Sequence, residues 1–499
     1  MMQAVLLPIA LPMLAGALCM VFWFQPRLQT YLSILSAVLV MLSAVWLFAL
    51  HAELGILVLQ LGGWQAPFGI SLVADTLAMS MVLIASIIYL GTLIFSLASQ
   101  SKTSLRYGYL PLLNLMVAGV MGSFLTGDIF NLYVWFEIML IASFGLLILG
   151  GEKAQLRGAI KYVAMNLLSS ALFLTAIGLL YGMVGTLNMA DVAVKLQAIE
   201  DQRLIIIVSM LFMVAFGIKA AAFPLFFWLP ASYHTPAVAV SAVFAGLLTK
   251  VGVYVLFRFY TLIFTQDLDF THHSILLWAG ILTMVIGVLG AAAQMSIRRI
   301  LSVHIISQIG YMLVALAIFS PLAIAGGIFY IIHNIVVKTN LFFISGIIYY
   351  QRGSYELKKL GGLYKDSPWL AIFFLLSALS LAGLPPLSGF FAKFIVISAI
   401  VAERDWWTLF FAVAVSLLTL FSMLKIWSYA FWGKKPEISE DSPMPRLTGQ
   451  AYWMWVPVTF LAVTSLGMGL AAEFFFQYAQ QAAYELLHPH HYIQAVLGE

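Results

Sequence analysis

Cysteine is nearly missing from this chain: Cys19 is the only one among 499 residues. A lone thiol excludes an internal disulfide, a thiolate metal cage and an iron–sulfur cluster. Charge is scarce too, at 9% of residues against 63% hydrophobic. A water-soluble fold of this size could not hide that much apolar surface, so the composition is that of an integral membrane protein in a lipid bilayer. The net charge of +4 is small and gives no reason to invoke nucleic acid. Residues 3–24 lack the basic flank and clear small-residue cleavage site of a signal peptide. They read as a first membrane helix.

What is present is a series of apolar segments. Fourteen are long enough to span, at about 20 residues each. The expected fold is therefore an all-α polytopic membrane protein. Three helices fill residues 1–108, five fill 109–262, five fill 263–432, and a loop, a last helix and a tail fill 433–499. Two spans are interrupted. In 204–230 an apolar run carries Lys219 and then Pro224; in 368–402 Pro385 and Pro386 precede Lys393. Proline cannot donate to the helix ladder and clashes with the preceding turn, so each span should break there. Backbone freed inside a bilayer is tolerated only against protein or a watery cavity. Helices 4–8 and 9–13 each place their broken member fourth, and five is odd. That pattern predicts two inverted five-helix repeats with discontinuous helices 7 and 12, an architecture that binds ions at mid-depth.

Basic residues sort the loops. Connections after odd-numbered helices carry fourteen Lys and Arg, Arg298, Arg299 and Arg446 among them; even-numbered connections carry four, Lys195, Arg203, Arg258 and Arg404. The positive-inside rule then puts both termini outside the cell membrane of a prokaryote. The six remaining basic residues lie inside spans, and all are lysine: Lys161, Lys219, Lys250, Lys338, Lys393 and Lys425. Arginine stays charged at any accessible pH, whereas a desolvated lysine can release its proton. A row of proton carriers must use the second kind.

Glu137 is the only acid deep within a span, and Lys219 is its expected partner. His333, Asn334 and Lys338 lie together on the eleventh span. His304, Ser307, Gln308 and Tyr311 make one polar face on the tenth, which reads equally as proton relay or as interhelical hydrogen bonding. Lys161 and Lys425 lie near span ends, where snorkelling competes with a relay role. Asp75 and Asp128 sit at span ends and read as caps. The tail His488-Pro489-His490-His491 has no further metal ligand near it in sequence and reads as solvated. No side-chain set for a cofactor is visible, and any metal is unknown.

Phe223-Pro-Leu-Phe-Phe-Trp-Leu-Pro230, Gly246-Leu-Leu-Thr-Lys250-Val-Gly252 and Ala382-Gly-Leu-Pro-Pro-Leu-Ser-Gly-Phe-Phe-Ala-Lys393 resemble the antiporter-like subunits shared by complex I and the Mrp multisubunit sodium/proton antiporters. The resemblance covers nearly the whole chain. It implies fourteen helices, the inverted repeats and a hydrophilic axis at mid-membrane. It also implies a Glu–Lys pair at Glu137 and Lys219, followed by Lys250, His333 or Lys338, and Lys393. Lys393 stands where the most similar complex I subunit usually has glutamate, and the chain stops soon after the last helix. Both departures favour the D-type branch of the Mrp antiporters. The expected function is proton translocation within a sodium/proton antiporter, beside an A-type subunit and small membrane subunits. The alternative is a redox-driven complex I or membrane-bound hydrogenase in which the same axis pumps protons.

Overall fold

The computed structural model describes residues 2–435 and 449–498, so Arg446 lies outside the described residues. The described chain is almost wholly helical. Twelve helices are long and apolar enough to cross a membrane, and three shorter apolar helices accompany them. In chain order these fifteen are α1 (Met2–Val21), α2 (Pro26–Leu54), α3 (Thr76–Ser99), α4 (Tyr109–Leu125), α5 (Ile129–Ile148), α6 (Lys153–Val184), α7 (Gln202–Ala220), α8 (Val238–Leu262), α9 (Asp269–Ala293), α10 (Ile297–Ile318), α11 (Pro321–Arg352), α12 (Pro368–Ala382), α13 (Ser388–Ala402), α14 (Trp406–Trp432) and α15 (Ala451–Leu470). Two more, α16 (Ala472–Leu487) and α17 (His490–Leu497), end the described chain.

Local chemistry sets the ends. Asp75 caps α3 by accepting from the Ala78 N–H at 2.9 Å, and Asp128 caps α5 through the Asn131 N–H at 2.7 Å. Ser320 caps α11, with Pro321 at the first helical position, where a missing N–H costs nothing. Both proline breaks occur. α7 stops at Ala220; Ala221 turns left-handed at φ 60°, Pro224 lies in the connection, and helix resumes at Trp228–Ser232. α12 stops at Ala382, Gly383 takes φ 94°, and α13 starts at Ser388 beyond Pro385 and Pro386.

The connections hold small elements. Leu57–Gln60 pairs antiparallel with Ser71–Ala74 as a short hairpin, and Met189–Gln197 forms a helix. The tail is helical. His488, His490 and His491 are exposed, as expected, but they join two amphipathic helices, α16 and α17, and Tyr492 and Val496 beyond them are buried.

Burial is uneven, and the pattern positions the site. The apolar windows of α8 and α10 are 100% buried and that of α11 is 94%, whereas that of α14 is 33%. A helix with no lipid-facing side can carry polar groups on any face. These three central helices carry Lys250, His304, His333 and Lys338.

Candidate functional site

Glu137 projects from α5 and Lys219 from the last turn of α7, where a cation meets the free carbonyls of the helix end. They do not form the direct ion pair expected from sequence. Ser170 of α6 stands between them: its hydroxyl donates to Glu137 Oε1 and accepts from Lys219 Nζ, the latter at 3.4 Å. α6 contributes the missing link, and its hydroxyl fills the space that would otherwise close the pair. Lys219 Nζ also lies 5.7 Å from the centre of the Phe136 ring.

From Lys219 the arrangement crosses to α8 through a glycine. A Cβ on Gly252 would sit 2.6 Å from Ala220 N, so only glycine lets α8 approach the end of α7. Just before this crossing, Phe244–Leu248 winds as a π segment. Such a segment displaces the carbonyl ladder, and Lys250 Nζ takes the Ala245 carbonyl at 2.7 Å. Lys338 of α11 is fully buried, and among the described residues it holds only the Leu301 carbonyl of α10, at 3.4 Å. It lies within electrostatic reach of Lys250 and Lys393.

The second break completes the row. Lys393 Nζ donates to the Ala382 carbonyl at 2.9 Å, one of the acceptors that the end of α12 leaves free, and lies 5.3 Å from the centre of the Tyr311 ring. His333 Nδ1 lies 2.9 Å from Ser388 Oγ at the first residue of α13. Ser388 in turn contacts Ser380 at 3.0 Å and Ser465 at 3.1 Å. Among the described residues, several buried polar atoms of α10 and α11 have no partner: both ring nitrogens of His304, Ser307 Oγ, Gln308 Nε2, His333 Nε2 and both amide atoms of Asn334. Buried polar groups of this kind are costly unless a partner meets them. The arrangement is suited to moving protons between amines, imidazoles and water.

Two lysines stand apart. Lys161 is exposed on α6. Lys425 of α14 donates to the Ala292 and Gln294 carbonyls at 2.6 Å each, capping the end of α9. Among the described residues no three His, Cys, Asp or Glu side chains gather as a metal site.

Sequence reasoning missed three features. Arg258, assigned to a loop, is buried in α8 and pairs with Asp75 at 2.5 Å, so Asp75 is a partner as well as a cap. Its spacing was a signal: Lys250, Tyr254 and Arg258 recur every four residues. Arg298, also assigned to a loop, lies buried in α10 and donates to the Pro236 carbonyl and to Ser241 Oγ. Ser170 had no signal beyond being a hydroxyl in an apolar span.

Comparison with known proteins matches residues 126–419 to the family described as NADH:quinone oxidoreductase/Mrp antiporter, TM. The D-type chain of the Na(+)/H(+) antiporter of Alkalihalophilus pseudofirmus is 46% identical over 100% of both chains. Its counterpart in Bacillus subtilis is 41% identical over 99% of both. Among solved structures, a chain of the Mrp complex from Dietzia sp. superposes with a TM-score of 0.89 at 33% identity, covering 100% of each chain. A chain of the membrane-bound sulfane sulfur reductase, an archaeal respiratory membrane complex, shares the fold alone, with a TM-score of 0.90 at 23% identity over 100% of each chain.

Proposed function

The chain belongs to the NADH:quinone oxidoreductase/Mrp antiporter transmembrane family, and from that membership we propose that it is the D-type subunit of a multisubunit sodium/proton antiporter. Relatives that match it end to end carry that name, and the structural match at 33% identity is to a chain of a whole Mrp complex. Its partners are then other membrane subunits, an A-type antiporter-like subunit and small ones, in a bacterial plasma membrane. With α4 crossing, and with α12 and α13 as two halves of one crossing, the chain spans fourteen times in two inverted five-helix repeats. Helices 7 and 12 of that count are the discontinuous ones, and both termini lie outside.

We infer that protons pass along Glu137, Lys219, Lys250, Lys338, His333 and Lys393, with His304 among the buried unpartnered polar groups beside them. The observation that carries this reading is the row itself: four buried lysines, none holding an acid directly, joined by hydroxyls, carbonyls and unpartnered polar atoms. A structural role would tolerate arginine or a fixed ion pair; a relay needs bases that give their proton back. Lys425 contributes less directly, by its cap on α9, and Lys161, exposed on α6, stands off the row.

The test is sodium/proton exchange in everted vesicles holding the whole complex, with Glu137→Ala, Lys219→Ala and Lys393→Ala. Exchange is lost while the complex still assembles. Wild-type exchange in the Lys219 variant would refute the relay. Purification of the native complex separates the redox alternative, because co-purifying flavin or iron–sulfur subunits would favour it.

A further inference from the structure

Outside the axis, one buried titratable cluster has no assigned role. It lies where α2, α3 and α16 meet, beside a cavity of about 260 Å³ lined by Phe48, His51, Thr76, Gln477, Tyr478 and Gln481. His51 is only 6% exposed, and its Nδ1 has no partner among the described residues. Its Nε2 lies 2.8 Å from Thr76 Oγ1. The Thr76 hydroxyl donates to Glu485 Oε1 at 2.5 Å, and Glu485 Oε2 accepts the Thr76 backbone N–H at 2.9 Å.

The direction of these bonds fixes the histidine. The Thr76 hydrogen is committed to Glu485, so Thr76 Oγ1 must accept, and His51 Nε2 carries the proton. That leaves Nδ1 as a buried lone pair beside a polar cavity, a state that costs free energy unless water or a proton meets it. His51 sits in the last turn of α2.

We propose that this cavity is a proton port, in which His51 exchanges protons with cavity water and passes them through Thr76 to Glu485. The proposal rests on the proton-translocating reading above, and on the charge bias that turns this end of the molecule outward. One proton binds at Nδ1. The Nε2 proton moves to Thr76 Oγ1 as the Thr76 hydrogen moves to Glu485. The ring ends neutral in its other tautomer, and Glu485 ends protonated.

The other charged groups facing His51 support such a station. Asp75 of α3 adjoins Thr76 and is within electrostatic reach of His51. It is held by Arg258, which also donates to Tyr254 Oη at 3.2 Å. The cluster therefore caps the outer end of the α8 stripe whose mid-depth member is Lys250. From α16, Tyr478, Gln477 and Gln481 line the cavity. Glu485 also lines a second cavity of about 450 Å³, shared with His491.

The complete complex is reconstituted in vesicles, and exchange is measured while only the pH on the outer face is varied. His51→Gln keeps an N–H for Thr76 and cannot titrate. Its exchange loses the dependence on outer pH that the wild type shows. Glu485→Gln and Thr76→Val lose it too, and Lys219→Ala stops exchange at every pH. A wild-type outer-pH profile in His51→Gln overturns the port. Exchange surviving in Lys219→Ala overturns the underlying relay instead. If His51→Ala fails to assemble, His51→Gln still decides, because it retains the hydrogen bond a structural role would need.

Discussion

Replacing Ser170 with alanine tests the bridge between Glu137 and Lys219. The hydroxyl donates to the carboxylate and accepts from the ammonium at 3.4 Å, and Lys219 has no other hydrogen bond among the described residues. Hydrogen bonds to charged groups contribute about 1.5–3 kcal/mol. Losing that amount at a rate-controlling proton transfer slows exchange about ten- to 150-fold. The assay is initial-rate sodium/proton exchange per assembled complex in everted vesicles. It is run for Ser170→Ala, Glu137→Gln and the double variant. If Ser170 couples the two charges, the effects are non-additive by about 1 kcal/mol or more; independent sites add within about 0.5 kcal/mol. Additive losses, or wild-type exchange in Ser170→Ala, would show that the serine fills space and links nothing.

Arg258→Met strands the buried Asp75 carboxylate and destabilises the fold by about 3–5 kcal/mol, whereas Arg258→Met with Asp75→Asn recovers most of it, as read by complex yield and melting temperature. Lys425→Ala leaves the two carbonyls at the end of α9 unpartnered and lowers the melting temperature, while Lys161→Ala stays within about 0.5 kcal/mol of wild type and keeps its exchange. At the surface, Lys435 and Arg352 hold the Asp366 carboxyl below its usual range. A depressed carboxylate stabilises the fold above its unfolded value, near 4, and that stability is lost as pH falls through the lower folded value. Because Asp366 is solvent-accessible, its share is at most about 1 kcal/mol, and Asp366→Asn flattens the acid limb of the melting-temperature profile by no more than that.

The helices were legible because each apolar run had to satisfy its own backbone, and the breaks were legible because Pro224, Pro385 and Pro386 cannot. The buried lysines stood out by their expense alone. What pattern could not supply was who meets whom across the bundle. Arg258 looked like an interface residue because it lies near a span end, yet a helix packed on every side buries it, and its acid comes from a residue far away in sequence. The Ser170 bridge depends on where α6 crosses α7, which no period in either helix encodes. The tail's histidines read as solvated and are exposed, but the amphipathic stripe that buries Tyr492 and Val496 beyond them went unread.

The π segment at Phe244–Leu248 has a geometric effect on everything after it. One surplus residue in a turn rotates the downstream helix by about 100° relative to a regular ladder. Lys250, Tyr254 and Arg258 all follow it. Were the coil to tighten to ordinary winding, all three would swing to a different azimuth, taking the amine from its Ala245 carbonyl and the guanidinium from Asp75. A single miswound turn therefore aims a whole row of side chains at once.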